Sequence, residues 1–349
     1  MTIPTVAREY FYPQFGSYNN LVLREVPVPV PKDNEVLVRI HAVSLQFRDL
    51  VIARDEFDTK RPDNLIPCSD TAGEVVAVGN DVTQWAVGDR VSANLLVDKI
   101  HDGQHSSEIR DASLGRYLHG VLREYRTFAP HSLVAVPSHM SYEEASTLPC
   151  AGVTAYNALL GGFKPLKAGD TILIQGTGGV SIFALQFAVA SGATVIATSS
   201  DDKKLELVSK LGAKHTINYK KTPDWDKEVL RLTHGVGVDR VIEVAGNSTI
   251  QRSINSTRLN GSIDLIGFVG GMNDVVPPDV VGPCLFKGLT IRGIAIGSVQ
   301  QFKDMNMLLA ANIDTTRPVI DRIFPFEEAK AALAYFETQA HVGKVVVKV

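Results

Sequence analysis

The sequence predicts an α/β protein in two parts, a mainly β N-terminal domain followed by a parallel sheet wound by helices on both faces. Residues 20–95 hold short apolar or alternating runs, "NLVLREVPVPVP", "EVLVRIHAVSL", "AGEVVAVG" and "GDRVSANLL", punctuated by Pro, Gly, Asn and Asp, which is the texture of strands and turns. From about 143, helix-period segments alternate with apolar strands, and that alternation implies parallel strands joined by crossover helices. The stretch "ILIQGTGGVSIFALQFA", 172–188, sets a glycine cluster between such a strand and such a helix.

Taken in order, the second part reads as strand 171–175, helix 179–191, strand 194–198, helix 202–211, strand 215–218, helix 225–232, strand 238–243, helix 248–257, strand 262–266 and strand 290–294. Beyond 297, "FKDMNMLLAAN" and "FEEAKAALAYFETQ" carry helix periodicity and "GKVVVKV" is a closing strand. The segment 97–118 is long, polar and unpatterned, as a mobile flap or a partner surface would be.

A chain of 349 residues can bury the cores of two domains. Its 35 basic and 38 acidic residues nearly cancel, without like-charge runs, which argues against nucleic acid or an anionic membrane as partner. Three scattered cysteines, Cys68, Cys150 and Cys284, form no CxxC pair and suit a reducing compartment. No basic leader precedes an apolar core, and no run reaches the roughly 18 apolar residues of a membrane span, so a soluble cytoplasmic protein is expected.

Chemistry concentrates first at the glycine cluster. Gly176, Thr177, Gly178, Gly179 and Val180 follow a strand and open a helix whose apolar positions Val180, Phe183, Ala184 and Phe187 share one face. Such a turn aims free N–H groups and the positive helix end at one spot, which suits a pyrophosphate, with Gly178 allowing close approach. Ser181 stands where a third glycine is usual. A plain tight turn is the alternative, and the surrounding strands favour a cofactor. At the end of the next strand Thr198, Ser199 and Ser200, followed by Lys204, offer hydroxyls and a cation to a 2'-phosphate and point to NADP(H). A one-residue shift would instead put Asp201 at the ribose, and Ser200 as helix cap with Lys204 as surface lysine is the bland reading.

"VLVRIHAVSLQFRDL", "AGEVVAVGNDVTQWAVGDRV", "ASTLPCAGVTAYNALL", "GDTILIQGTGGVSIFALQFA", "LGAKHTINY" and "HVGKVVVKV" together resemble the medium-chain dehydrogenase/reductase family over nearly the whole chain. The resemblance implies a GroES-like catalytic domain at 1–151, a Rossmann NAD(P)-binding domain at 152–296, a return to the first domain at 297–349, and an active site between them. It also implies a homodimer paired through Rossmann edge strands, with "GLTIRGIAIG" supplying the edge.

The departures from the family's zinc enzymes are specific. Gln46, Ser69 and Cys150 stand where those enzymes place metal ligands, and an amide, a hydroxyl and one thiol do not hold zinc tightly. The segment 97–118 lacks the four cysteines of a structural zinc lobe. The chain is thus similar to the zinc-free branch, the quinone oxidoreductases and NADPH-dependent enone or aldehyde reductases, although Phe57 replaces their tyrosine. Hydride transfer leaves negative charge on the acceptor, and without a Lewis acid the easiest acceptors are enones and quinones, which spread it themselves.

Within that frame Gln46 donates its amide to substrate oxygen, Thr154 bonds the carboxamide or substrate, and Tyr156, Tyr117, His119 and Tyr125 are the proton-donor candidates. Asp49 and Asp70 read as turn-ordering residues. Tyr219 flanks the adenine or its phosphate, Gly267 and Phe268 in "LIGFVGG" and Ile294 in "GIAIGS" pass the nicotinamide, and Lys344 is either cofactor-facing or a solvated edge-strand lysine. The expected function is zinc-independent, NADPH-dependent reduction of a conjugated carbonyl or a reactive aldehyde or ketone. A dehydrogenase of secondary alcohols and a non-catalytic NADPH-binding protein, crystallin-like or a sensor, are the alternatives.

Overall fold

The structure is a computed structural model, and it describes residues 2–57, 61–103, 106–270 and 279–349. The chain forms two compact units, Met1–Val153 with Ile296–Ala311 and Pro318–Val349, and Thr154–Ala295 with Asn312–Arg317.

In the first unit β1 (Val6–Phe11) and β2 (Val22–Pro27) pair antiparallel. The main sheet starts from β3 (Val36–Ser44), which leads into α1 (Phe47–Ala53), and continues with β4 (Asp70–Val78), β5 (Arg90–Ala93), β6 (Tyr125–Phe128) and β7 (Leu133–Ala135). The short helices α2 (Ser107–Asp111) and α3 (Tyr142–Ala145) and a π-helical turn at Leu148–Gly152 complete the N-terminal part. The next helix, α4 (Val153–Leu160), leads to the second unit.

That unit runs β8 (Thr171–Gln175), α5 (Gly179–Ala190), β9 (Thr194–Ser199), α6 (Asp202–Lys210), β10 (His215–Asn218), α7 (Trp225–Leu232), β11 (Val238–Glu243), α8 (Ile250–Ser256), β12 (Thr257–Leu265), α9 (Val281–Lys287) and β13 (Thr290–Gly293). Its strands are all parallel, in the order β10-β9-β8-β11-β12-β13. Four of the five residues of β8 are buried, as expected of a strand covered on both faces. The chain ends with α10 (Val299–Ala311), α11 (Ile313–Thr316), β14 (Ile320–Pro325), α12 (Ala329–Glu337) and β15 (Lys344–Lys348).

The pairing of β3 positions the chemistry. Its first half, Val36–Arg39, pairs with β6, and Ala42, Val43 and Ser44 pair with β15, while β4 runs along its other edge. Ser44 therefore lies opposite Asp70 on one side and Val346 on the other, so the chain leaving β3 at Gln46 emerges beside the start of β4 and of β15. The core beneath joins Val38, Ile40 and Val43 to Leu50, Phe128, Phe326, Leu333, Val345 and Val347, all under 5% exposed.

The mixed α/β architecture agrees with the sequence, and the differences have local causes. Strand β12 begins at Thr257 rather than 262 because Asn260, at φ 56°, and Gly261 sit where the register with β11 shifts, and they look like loop residues in sequence. Helix α9 was not expected, since "VGPCLFK" buries no residue and so shows no periodicity. Within the segment 97–118, residues 99–102 are tied to the start of α10. Val299 and Gln300 donate N–H groups to Lys99 O and Ile100 O at 2.8 and 3.0 Å, and Ser298 Oγ donates to Asp102 at 2.8 Å.

Candidate cofactor and active site

In the second unit the glycine turn has the geometry a pyrophosphate requires. Gly176, at φ 70°, turns the chain out of β8 in a conformation that L side chains rarely adopt. Gly178 is the N-cap of α5 with no side chain capping it, which leaves the first-turn N–H groups of a 12-residue helix without a capping acceptor. A Cβ built at Gly176 or Gly178 meets nothing within 4 Å, so the face of the turn is open. The place of the third glycine is explained: Ser181, 3% exposed, donates its Oγ proton to Gln175 O at 2.7 Å and pins the helix to the strand. Thr154 adds a buried hydroxyl with no hydrogen-bond partner among the described residues, an orphan that a carboxamide would satisfy. These features fit a dinucleotide.

The strand β9 ends at Ser199, followed by Ser200. Asp201, not Ser200, caps α6, its Oδ1 accepting the N–H groups of Lys203 and Lys204 at 2.8 and 3.2 Å. Asp202 is held by Asn218 Nδ2 at 2.7 Å and by Lys221 Nζ. Both carboxylates thus have local work, and the strand end presents hydroxyls. Tyr219, 41% exposed, donates its N–H to Ser199 O at 3.0 Å and so stands beside them.

Gly267 and Phe268 follow β12 and pack on the loop after β11, where a Cβ on Gly267 would lie 2.6 Å from Val244 O. Ile294 is buried and donates its N–H to Leu265 O at 2.9 Å. The last glycine of "LIGFVGG", Gly271, lies outside the described residues. A residue overlooked in sequence, Glu243, ties these loops together. Fully buried at the end of β11, it accepts from the N–H groups of Ala245 and Gly246 and from Thr249 Oγ1, Gln175 Nε2 and Ser253 Oγ. Its signal in the sequence is an acid set within the apolar run "VIEVAG" where β11 ends.

The first unit assembles a second group around Asp70. Gln46, 7% exposed, donates from Nε2 to Asp70 Oδ2 at 2.6 Å, the N–H of Cys150 donates to the same oxygen at 2.9 Å, and Ser69 Oγ donates to Oδ1 at 2.6 Å. Asp70 therefore does more than order a turn. Lys344 is 2% exposed, and β15 lies inside the sheet between β14 and β3, which removes the solvated edge-strand reading. Its Nζ donates to Leu45 O. Gly343, at φ 73° with Val319 O 2.2 Å from a built Cβ, aims the chain there. Burial lowers the Lys344 pKa and raises that of Asp70, and each is the other's largest charge partner, so each favours the other's ionised form.

Asp49 Oδ2 accepts the N–H of Gln46 at 2.8 Å, while Oδ1 is buried without a hydrogen-bond donor among the described residues. Burial pushes its pKa from 3.8 up to about 6, against Arg48. A carboxyl raised on folding favours the fold when protonated, so its contribution is complete below about pH 4 and is lost as pH rises through about 6. The Asp49→Asn variant, a neutral mimic, should gain about 2–3 kcal/mol on the wild type across that window, read from denaturant melts at several pH values.

The cluster does not fit a catalytic zinc ion. Among the described residues no three His, Cys, Asp or Glu side chains gather as a ligand set. Burial pushes the Cys68 and Cys150 thiols well up, which disfavours thiolate, and Lys344 sets a cationic side chain beside Asp70, the carboxylate that accepts from the Gln46 amide side chain.

The proton-donor candidates separate. Tyr125 is buried in a small apolar cluster with Ala7 and Leu37 and is withdrawn from that role. His119 Nδ1 accepts the N–H of Ile66 at 3.3 Å, and burial with Arg123 holds its pKa below the usual histidine value. Tyr117 and Phe57 pack on Arg116, with the guanidinium carbon 4.9 and 4.2 Å from their ring centres. Tyr156 is half-buried on α4, two residues beyond Thr154.

Comparison with known proteins identifies the family. Residues 32–138 match the family described as alcohol dehydrogenase GroES-like domain, and 179–311 match zinc-binding dehydrogenase. A zinc-type alcohol dehydrogenase-like protein of Schizosaccharomyces pombe is 41% identical over 98% of this chain and 99% of its own length. A quinone oxidoreductase of Sus scrofa is 28% identical over 91% of this chain and 90% of its own. The crystal structure of a putative alcohol dehydrogenase from Sinorhizobium meliloti superposes over 100% of both chains with a TM-score of 0.91 at 35% identity. With a GroES-like part, a Rossmann-like parallel sheet and relatives spanning its full length, the chain belongs to the medium-chain dehydrogenase/reductase family of oxidoreductases.

Proposed function

We propose that the chain is an NADPH-dependent reductase of conjugated carbonyl compounds, enones or quinones, that works without a catalytic zinc ion. The observation carrying this reading is the Gln46–Asp70–Lys344 group, which puts an amide and an ammonium where metal chemistry would need anionic or imidazole ligands.

When bound, NADPH supplies the hydride. The first-turn N–H groups of α5 hold the pyrophosphate, and Ser199, Ser200 and Lys204 receive the 2'-phosphate, to which Asp201 and Asp202 are not offered because both are engaged locally. Asp70 accepts a hydrogen bond from one Nε2–H of Gln46 and so fixes the amide plane, leaving the other N–H for a substrate oxygen. Lys344 favours the ionised form of Asp70 against the effect of its burial. No side chain here matches a Lewis acid, so an acceptor that delocalises its own negative charge is favoured. Thr154 Oγ1 orients the carboxamide.

The test is NADPH oxidation with enones and quinones set against saturated ketones, together with NADP⁺ reduction by secondary alcohols. The conjugated acceptors should exceed saturated ketones by about a hundredfold in kcat/KM, roughly 2.7 kcal/mol of transition-state stabilisation. Turnover of secondary alcohols alone, or of nothing in the panel, overturns the reading. The Lys204→Ala variant should reduce the NADPH-to-NADH preference about tenfold, as loss of one phosphate cation predicts, measured by nicotinamide fluorescence titration.

We also propose a homodimer through the Rossmann-like sheet. Strand β13 lies at its edge, and α9 beside it exposes Val281, Leu285 and Phe286 at 75, 73 and 83%. Sedimentation of a Phe286→Glu variant should show a shift towards monomer.

A further inference from the structure

A group of arginines next to the Asp70 cluster, all within the first unit, has no part in the chemistry above. Arg48 lies on α1 two residues beyond Gln46, and its Nη1 donates to Leu114 O at 2.9 Å, which brings the chain before Arg116 alongside α1. Arg116 stacks on Phe57 at 4.2 Å and Tyr117 at 4.9 Å, and Arg110 lies 6.0 Å from the same Tyr117 ring. Arg61 stacks on Phe15 at 3.9 Å.

The acids nearby are assigned elsewhere. Asp55 pairs with Arg61, Asp111 with Arg110 at 2.8 Å, Asp49 with Arg48 at 4.0 Å, and Glu56 with Arg54 at 3.6 Å. Among the described residues no carboxylate pairs with Arg116, and its Nε is buried with no partner. Burial lowers its pKa, Arg48, Arg110 and Arg61 push the same way, and only Tyr117 opposes them. A desolvated guanidinium without a counter-charge is costly, and its fork matches a carboxylate.

We propose that Arg116, held between Phe57 and Tyr117 and flanked by Arg48, Arg61 and Arg110, docks a carboxylate on the substrate, so that the preferred substrate is a conjugated carbonyl compound bearing a carboxylate. A single guanidinium with no carboxylate partner among the described residues calls for a monoanion rather than a doubly charged phosphate. Arg48 links this point to the reaction group, because its charge acts on Asp49, Cys68 and Cys150 as well as on Arg116. The substrate class rests on the reductase reading, whereas the anion site stands without it.

The experiment compares 4-oxopent-2-enoate with its neutral methyl ester as acceptors for NADPH. In the unmodified protein kcat/KM for the acid should exceed that for the ester at least tenfold. The ratio should fall towards one in Arg116→Ala and recover in part in Arg116→Lys, with melting temperatures confirming that both variants fold. A ratio near one in the unmodified protein, which needs no variant, overturns the proposal, as does an unchanged ratio in Arg116→Ala. Should neither compound turn over, the reductase reading fails by itself, and calorimetric titration with 4-oxopentanoate decides the site. Binding lost in Arg116→Ala sustains it, and no binding to the unmodified protein overturns it.

Discussion

The Asp70→Ala variant is expected to lose about 3–5 kcal/mol of stability, the cost of removing one partner from a buried charge network. The alanine would leave Gln46 Nε2, the Cys150 N–H and Ser69 Oγ without their acceptor, and the Lys344 ammonium without its principal counter-charge. For a chain of this size the melting temperature should drop by roughly 5 °C. Asp70→Asn keeps an acceptor oxygen and should cost less than half as much. Denaturant unfolding of both variants checks the ordering. A loss below about 1 kcal/mol for the alanine variant would show that Gln46 and Lys344 do not depend on Asp70.

The second large effect concerns binding rather than stability. Gly178 has φ −75° and ψ 179°, an extended conformation open to any residue, and a Cβ there meets no atom within 4 Å. Gly178→Val should therefore fold with a melting temperature within about 2 °C of the unmodified protein. Its methyl groups would stand where the pyrophosphate approaches the first turn of α5, and NADPH affinity should fall by at least about a hundredfold. Calorimetry and nicotinamide fluorescence on the same sample separate the two effects. A variant that binds NADPH normally would remove the glycine turn from the cofactor site.

How much of this was legible in sequence varies with the physics of each part. The strand–turn–helix at 171–190 was readable nearly to the residue, because β8 is buried on both faces and the turn needs glycine for conformational reasons. Strand β14 was missed because "IDRIFP" buries one residue of six and takes its place by parallel pairing with β15, a contact distant in sequence from most of the unit. Helix α9 escaped for a similar reason, since it has no buried face.

Site residues divide in the same way. Gln46 and Lys344 were singled out by resemblance, but nothing local announces that Asp70 joins them. That follows from β3 pairing with β4 on one edge and β15 on the other, a property of the fold. Glu243 carries only a faint signal in sequence and Arg116 none, for want of their partners, five donors converging on the first and two rings packed on the second. The capping of α6 shows the limit of local rules, since Ser200 and Asp201 are both good caps and only the structure assigns the role to Asp201.

The most direct test of the central claim is the rate of NADPH oxidation with an enone after exhaustive treatment of the protein with a zinc chelator. A reaction supported by Gln46, Asp70 and Lys344 without a Lewis acid should keep its full rate, with zinc far below one atom per chain by elemental analysis. A rate abolished by the chelator and restored by added zinc would contradict the account.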